Sequence, residues 1–479
     1  MWKGVPFKVS RRLAFLIIVS FSSVSGGFAQ STEWKSYTHM SNEAFKSGDY
    51  DKAKIYCEKA LVEAKKFGPR DLRVAINSGD LGAVLCKLGE YSKGHELLVQ
   101  ALDIVKEKAG VDNALYASGL RTLAHCMRDL GKDEQANLML RQAIAILDHQ
   151  KTGKDCLASC LNQLTTLDIE SGNLKEADEL VSKCLRLTEA GLVSQPEIKV
   201  QALNNRAQIL QRLGKYTQAV ELLQQVIASY PKPSRAHADS IGSAYNNLAI
   251  CYENLNRLDK AELASRQAVS LAKMDAGPSS PGVLKATSNL CMILNRQGKY
   301  KEAKRLIEPA LNAVSKDPEK NAMPFVALNR EDAEALRQEG KFGEAEQRLK
   351  TAINLAEKLN AAKVIMAGLW CDFGLLYVTQ ERYSQSESCY KKALEIRQAS
   401  LGEDHPQTAA ALSDLAEVYR RHGKSQLAEE YFKRSIADME KNPQDNKILL
   451  SATYKGYAEL LRACGRADEA LKMEAKARK

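Results

Sequence analysis

The chain has 479 residues, of which 44% are hydrophobic, 6% aromatic and 27% charged, and it carries a formal net charge of +10. Ala and Leu are abundant, Pro is scarce and β-branched residues do not alternate, which is typical of an all-helical protein and excludes large β domains. Lys and Arg alternate with Glu instead of clustering beside aromatic residues, so the charge pattern also argues against nucleic-acid binding.

The first 29 residues have the pattern of a signal peptide. An apolar stretch over residues 13–21 is shorter than the ~20 apolar residues that span a bilayer. Gly27 and Ala29 predict cleavage after Ala29, which would remove four basic residues and lower the formal charge from +10 to +6. We therefore expect an exported, periplasmic or secreted chain of bacterial origin with no transmembrane helix after cleavage. An uncleaved N-terminal anchor is the alternative. The four basic residues are Lys3, Lys8, Arg11 and Arg12.

The cysteines do not have the spacing of a metal or disulfide framework. There are eleven of them, an odd number, with no CxxC pair and no Cys/His cluster that would hold zinc. Most fall where a small apolar residue is expected to pack, and Cys156 and Cys160 lie four residues apart on one helix face. Free thiols argue against an oxidising compartment, so the cysteines count against export.

One motif recurs along the chain after residue 34. It consists of a Gly, a polar residue, an aromatic residue and then Ala five positions after the Gly, as in Gly48-Asp49-Tyr50 followed by Ala53. The first residue of the motif, the anchor, returns every 41 or 42 residues. The anchors are Gly48, Gly89, Gly131, Gly172, Gly214, Asn256, Gly298, Gly340, Glu381, Gly423 and Gly465.

Small residues also stand twelve positions after and seven positions before most anchors. The two later positions lie two turns apart on one helix and the earlier one lies on the preceding helix, so the two helices can approach closely. The anchor closes the turn between them with a positive φ, which favours Gly and tolerates Asn256. Glu381 is not an expected replacement and marks the least regular hairpin. Because one hairpin cannot bury its apolar face alone, the hairpins are expected to stack.

The repeat predicts an all-α fold: a right-handed superhelical solenoid of about eleven helix-turn-helix units over residues 34–479. The pattern Gly-x-Tyr-x-x-Ala resembles the tetratricopeptide repeat. The period and the connector Leu401-Gly402-Glu403-Asp404-His405-Pro406 resemble the longer repeats of kinesin light chain. The resemblance implies a protein-binding solenoid whose first helices line a concave groove, where Asn side chains contact bound peptide. Kinesin binding itself is not implied.

Polar residues recur on these first helices nine, ten and three positions before the anchors. Side-chain amides donate and accept hydrogen bonds at once, which suits the backbone of an extended peptide, and Arg can bind a carboxylate. The alternative is that these side chains bond to neighbouring helices or face water. The predicted peptide-binding residues are Arg121, Arg128, Asn162, Asn204, Asn205, Gln211, Asn246, Asn247, Asn289, Asn295, Arg330 and Arg337.

No motif in the sequence indicates catalysis. The seven His are scattered, and there is no phosphate-binding loop, nucleophile elbow or metal-binding His pair. We therefore predict no enzyme activity, metal or cofactor. The predicted function is that of an exported scaffold or adaptor that holds peptide segments of protein partners in its groove. The chain is predicted to be a monomer. The alternatives are a structural or self-assembling envelope element, or an accessory subunit of an envelope enzyme complex.

Overall fold

The computed structural model describes residues 32–130, 132–231, 233, 237–275, 280–315, 322–358, 363–441 and 443–478. The predicted signal peptide and the anchor Gly131 lie outside these residues. Within them the chain forms 22 helices and no strands, so the predicted all-α solenoid fold is confirmed.

The helices follow one another in pairs, with a first and a second helix in each repeat. In chain order they are α1 (Thr32–Lys46), α2 (Tyr50–Lys65), α3 (Leu72–Leu88), α4 (Tyr91–Ala109), α5 (Ala114–Asp129), α6 (Asp133–Asp148), α7 (Lys154–Ser171), α8 (Leu174–Glu189), α9 (Pro196–Arg212), α10 (Tyr216–Ala228), α11 (Ala238–Asn254), α12 (Leu258–Asp275), α13 (Pro281–Arg296), α14 (Tyr300–Val314), α15 (Ala322–Gln338), α16 (Phe342–Lys358), α17 (Lys363–Thr379), α18 (Tyr383–Leu401), α19 (Pro406–Arg421), α20 (Ser425–Glu440), α21 (Pro443–Ala463) and α22 (Ala467–Ala477).

The anchors lie in the turns between the paired helices. Their φ angles, where described, run from +50° at Asn256 to +87° at Gly172. The N–H of the following residue then bonds to a carbonyl five positions back, as from Glu90 to Leu85 at 2.9 Å. This bond satisfies a carbonyl at the end of the first helix that has no partner inside the helix. Glu381 has a φ of +58° and makes the same turn.

The small residues let paired helices approach closely. Ala53 and Ala177, five positions after their anchors, are fully buried. Gly82 and Gly94 face each other across one hairpin, where a Cβ on Gly94 would lie 2.8 Å from the Gly82 carbonyl oxygen. That distance is too short for any side chain, so the sequence of this hairpin sets the spacing of α3 and α4.

The chain divides into two compact units, residues 1–209 with 230–240 and residues 210–229 with 241–479. In the first unit, α3 packs on α5 and α5 on α7. In the second unit, α13 packs on α15, α15 on α17 and α19 on α21. These are all first helices of successive repeats. Contacts between alternate helices of the chain place the first helices on the inner side of the curve of each unit.

Candidate partner-binding surface

In the first unit, the predicted amide residues connect the first helices of neighbouring repeats. Asn162 Nδ2 donates to the Ile198 carbonyl at 2.9 Å, and Asn204 Nδ2 donates to the Ser240 carbonyl at 3.2 Å. Asn205 Nδ2 donates back to the Asn162 carbonyl at 3.1 Å. All three asparagines are buried. Their amide donors therefore hold one repeat to the next.

The second unit continues this arrangement. Gln211 Nε2 donates to the Asn247 carbonyl at 2.7 Å, and Asn289 Nδ2 donates to Asn246 Oδ1 at 2.7 Å. Asn295 Nδ2 donates to the Glu331 carbonyl at 2.9 Å. The amide residues that sequence analysis placed along the groove thus form hydrogen bonds between the first helices of neighbouring repeats.

The predicted arginines pair mostly with acidic residues. Arg128 Nη2 lies 3.1 Å from a Glu170 carboxylate oxygen, and Arg337 Nη2 lies 2.7 Å from Glu334. Arg121 is fully buried. The Arg128 contact joins α5 to α7 and agrees with the alternative that the polar residues bond to neighbouring helices, whereas Glu334 lies on the same helix as Arg337.

Some acceptor capacity remains in the amide column. The Oδ1 atoms of Asn162, Asn204 and Asn295 are buried and accept no hydrogen bond. An unsatisfied buried acceptor costs about 1–3 kcal/mol. Contact between these residues and a peptide stays a prediction, because the oxygens are enclosed in this structure.

Two carboxylates that sequence analysis missed extend the column. Asp372 and Asp414 stand nine positions before Glu381 and Gly423, the register that holds Asn205 and Asn247 earlier in the chain. Their position nine residues before an anchor is the sequence signal that could have identified them. The column therefore changes from amides to carboxylates within the second unit.

Asp414 lies on α19 in the second unit. Its side chain is exposed to solvent, yet the protein packed around it raises its pKa to about 6, against the attraction of Arg397. The carboxyl group thus reaches water while its protein surroundings disfavour the charged form. Among the described residues Asp414 makes no hydrogen bond or ion pair, so it can receive a cationic group.

Arg330, on α15, lies across the following first helix. Its guanidinium carbon would be 3.6 Å from a Cβ on Gly368, and its Nη2 donates to Asp372 Oδ1 at 3.2 Å. The Asp372 carboxylate is the main reason why the pKa of Arg330 is raised. Gly368 leaves room for this packing, which a larger side chain would push aside.

Sequence profiles of the tetratricopeptide repeat match residues 73–149, 199–274 and 365–441, and a second profile of the same repeat matches residues 35–61. Together they cover just over half of the chain. The chain belongs to the tetratricopeptide repeat family.

The relatives of this tetratricopeptide repeat protein include two plant proteins. It is 24% identical over 333 residues to Protein KINESIN LIGHT CHAIN-RELATED 1 of Arabidopsis thaliana, covering 67% of this chain and 53% of the relative. It is also 24% identical over 409 residues to Protein KINESIN LIGHT CHAIN-RELATED 3 of the same plant, covering 82% and 60%. The chain thus spans little more than half the length of the curated relatives it matches. The resemblance to kinesin light chain is confirmed.

Two solved structures share the fold of this tetratricopeptide repeat protein. A Rap protein complexed with Competence and Sporulation Factor aligns with a TM-score of 0.57 at 14% identity, over 76% of this chain and 98% of that chain. The apo form of RapI aligns with a TM-score of 0.51 at 13% identity, over 76% and 96%.

Within the described ranges, no helix is long and apolar enough to cross a membrane. The same ranges contain no group of three or more His, Cys, Asp or Glu side chains placed to hold a metal ion.

Proposed function

We propose that this tetratricopeptide repeat chain is a scaffold that binds protein partners along the inner wall formed by its first helices, without chemistry of its own. The observation that carries the proposal is Asp414, a solvent-exposed carboxylate on the first helix α19 with no ion-pair partner among the described residues. A charge held in this state gains more from a cationic partner than one in open water, because the protein atoms around it weaken dielectric screening.

The finer proposal is that the partner is an extended peptide segment. The inner wall has amides in one part and charged side chains in another, so the backbone of a peptide and its basic side chains would find different partners along it. The complex of a Rap protein with Competence and Sporulation Factor supports this, because a protein of similar fold forms a complex with that factor. In this proposal the predicted amide residues hold neighbouring first helices in place. An amide contacts the peptide only where its side chain faces the groove.

Site-specific crosslinking tests which surface is used. A photoreactive amino acid would replace Leu375 on the first helix α17 or, as the matched control, Leu427 on the second helix α20. The two leucines are 37% and 40% exposed, so both report on accessible surface. After irradiation in the native host, crosslinked chains would be identified by mass spectrometry.

We expect the same partner proteins to be crosslinked repeatedly from position 375 and not from position 427. Replacing Asp414 with Asn should reduce the yield from position 375 without lowering the melting temperature. Equal labelling from both positions, or labelling that is insensitive to Asp414→Asn, would show that partners do not use the inner wall.

We further propose that the chain is exported after cleavage behind Ala29. None of the eleven cysteines forms a disulfide, and nine of them are buried. Burial raises the pKa of Cys184 to about 12 and that of Cys389 to about 11, which keeps these thiols protonated and unreactive. These two thiols are therefore compatible with an oxidising compartment. The N-terminal residue of the native protein is the test: Gln30 supports export, and an intact residue 1 in the cytoplasm rejects it.

A further inference from the structure

The second unit contains a cavity that the proposed function does not use. It has a volume of about 320 Å³, and it lies between the turn at residues 254–257, the start of α19, the start of α21 and Tyr216 on α10. This volume is near the lower end of the range for small-molecule sites, roughly 300–1,000 Å³. A cavity of this size accepts a small molecule and not a folded partner.

A close contact between distant repeats forms the cavity. Gly214, the anchor before α10, lies against Pro406 at the start of α19, and a Cβ on Gly214 would be 2.4 Å from Pro406 Cδ. Within the same unit, α10 also packs on α21. His405 Nδ1 accepts a hydrogen bond from the Gln407 N–H at 3.1 Å and so caps α19 beside the cavity. The wall is built by tertiary contact and not by a single hairpin.

The lining has a consistent chemistry. It includes the two cationic residues Arg257 and Lys447 but no Asp or Glu. Both cationic side chains are exposed at the cavity, and neither makes an ion pair among the described residues. The amides of Asn254 and Gln407 add hydrogen-bonding groups. One part of the lining can therefore bind an anion.

The rest of the lining is apolar. Leu255, Pro406, Ala410 and Ile448 contribute to it, and the Ile448 side chain is 47% exposed although it is large and hydrophobic. An exposed Ile beside cationic groups gains from covering by an aliphatic chain, because burial of apolar area is favourable. The two halves of the lining together fit a molecule with one anionic end and a short aliphatic body.

We propose that this cavity is a binding site for a small aliphatic carboxylate, with its carboxylate at Arg257 and Lys447 and its chain against Leu255 and Ile448. The site goes beyond the proposed scaffold function and does not depend on it. Because the cavity joins the turn at residues 254–257 to α19 and α21, an occupant would hold these parts of the second unit together.

Three probes of equal chain length separate charge from hydrophobicity: octanoate, octan-1-ol and octylammonium. Binding to the full chain would be measured by isothermal titration calorimetry and by the shift in melting temperature. We expect octanoate to bind and to raise the melting temperature, and the other two to bind about tenfold more weakly or not at all, since they lose the charge-assisted hydrogen bonds. Equal binding of all three probes, or no binding of octanoate, would overturn the proposal.

Two variants place the site. Replacing Arg257 and Lys447 together with Gln should weaken octanoate binding by about tenfold or more, while Lys472→Gln on α22 serves as the matched control and should leave it unchanged. Ala410→Leu should block binding by filling the cavity without a change in charge. Octanoate binding that survives both the double variant and Ala410→Leu would place the carboxylate elsewhere on the protein.

Discussion

Glu381 has a backbone conformation that L-amino acids with a side chain rarely adopt. Its φ is +58°, and most other anchors with positive φ are glycines. A residue with a Cβ pays about 1–2 kcal/mol for this conformation. The turn forms nonetheless because the helices on either side, α17 and α18, pack closely on each other.

The first prediction concerns this residue. Replacing Glu381 with Gly should raise the free energy of unfolding by about 0.5–1 kcal/mol, since relief of the strained φ exceeds the extra chain entropy of Gly in the unfolded state. Urea denaturation measures the effect. Gly340→Ala, at a similar φ of +75° with open space around the Cβ position, is the opposite control and should lower stability. A neutral or destabilising Glu381→Gly would contradict the explanation.

Glu331 is a buried carboxyl group on the inner wall of the second unit. Burial raises its pKa to about 7, against the attraction of Arg330 and with a further rise from Asp372. The Asn295 amide donates to its Oε2 atom at 3.0 Å, and Glu334 is a further acidic neighbour. The folded state therefore holds a proton on this group at a pH where the unfolded state has released it.

The second prediction follows from that difference. Because the folded pKa lies above the unfolded value, the contribution of Glu331 to stability is full below about pH 4.5 and falls as pH rises towards 7. Glu331→Gln should therefore stabilise the protein at pH 8 by about 1–2 kcal/mol and have little effect at pH 4. Chemical denaturation at the two pH values tests this, with the exposed Glu344→Gln as the control. A difference that does not depend on pH would reject it.

At the scale of helices, a recurring set of contacts connects neighbouring repeats near the end of the second unit. In these repeats, a Glu six positions after the anchor accepts hydrogen bonds from two basic residues. One is a Lys four residues later, and the other is the Lys or Arg directly after the next anchor. Glu387 has Lys391 and Lys424 at 2.8 Å each, and Tyr419 Oη donates to it at 3.4 Å. Glu429 is held in the same way by Lys433 at 2.8 Å and Arg466 at 2.7 Å. Such bonds fix the rotation between successive hairpins.

The third prediction is that these contacts make the solenoid sensitive to acid. Burial by itself would raise the pKa of Glu387, but the hydrogen bonds from Lys391 and Lys424 outweigh it and lower the pKa to about 2. Arg466 and Lys433 lower the pKa of Glu429 to about 2. The stability from both groups is present above about pH 4.5 and is lost as the pH falls towards 2.

Replacing Glu387 and Glu429 together with Gln should thus cost about 1–2 kcal/mol at pH 7. The stability curves of the double variant and the parent protein should approach each other between pH 4 and pH 2, as followed by thermal unfolding at stepped pH. Glu395→Gln on α18 is an exposed control. Curves that stay parallel at all pH values would show that the ion pairs do not stabilise the stack.

At the scale of the molecule, the second compact unit is more than a row of independent hairpins. In the second unit, Gly214 meets Pro406 and α10 meets α21, although many repeats separate them in the sequence. In a simple solenoid each repeat contacts only its neighbours, and stability is the sum of local terms. A contact between distant repeats adds a long-range term to that sum.

The fourth prediction measures this term. Gly214→Ala and Gly340→Ala both place a Cβ on an anchor with positive φ, but only the first meets another residue, at 2.4 Å from Pro406, while the second meets nothing within 4 Å. In both variants the strained backbone conformation should lower the free energy of unfolding by about 1 kcal/mol. Gly214→Ala should lower it by about 1–3 kcal/mol more, because the new Cβ displaces the contact with Pro406. Equal losses in denaturant melts would mean that the contact does not stabilise the unit.

Local rules determined much of this protein. The positive φ of the anchors and the close approach of paired helices follow from residues within a few turns of each other, so the repeat spacing alone predicted the helices, the all-α solenoid and the likeness to kinesin light chain. Asn256 shows the same: its small side chain tolerates the turn that its position demands.

Only the tertiary structure decided where the polar side chains of the inner wall point. Asn162 and Gln211 have the composition of peptide-binding residues, but their donors bond to carbonyls of the next first helix. Asp414 and the cavity beside Pro406 depend on how small rotations between repeats accumulate along the stack. A sequence pattern that repeats every 41 or 42 residues carries no information about these accumulated rotations. For this reason the fold could be predicted from the sequence, and the side-chain contacts of the inner wall could not.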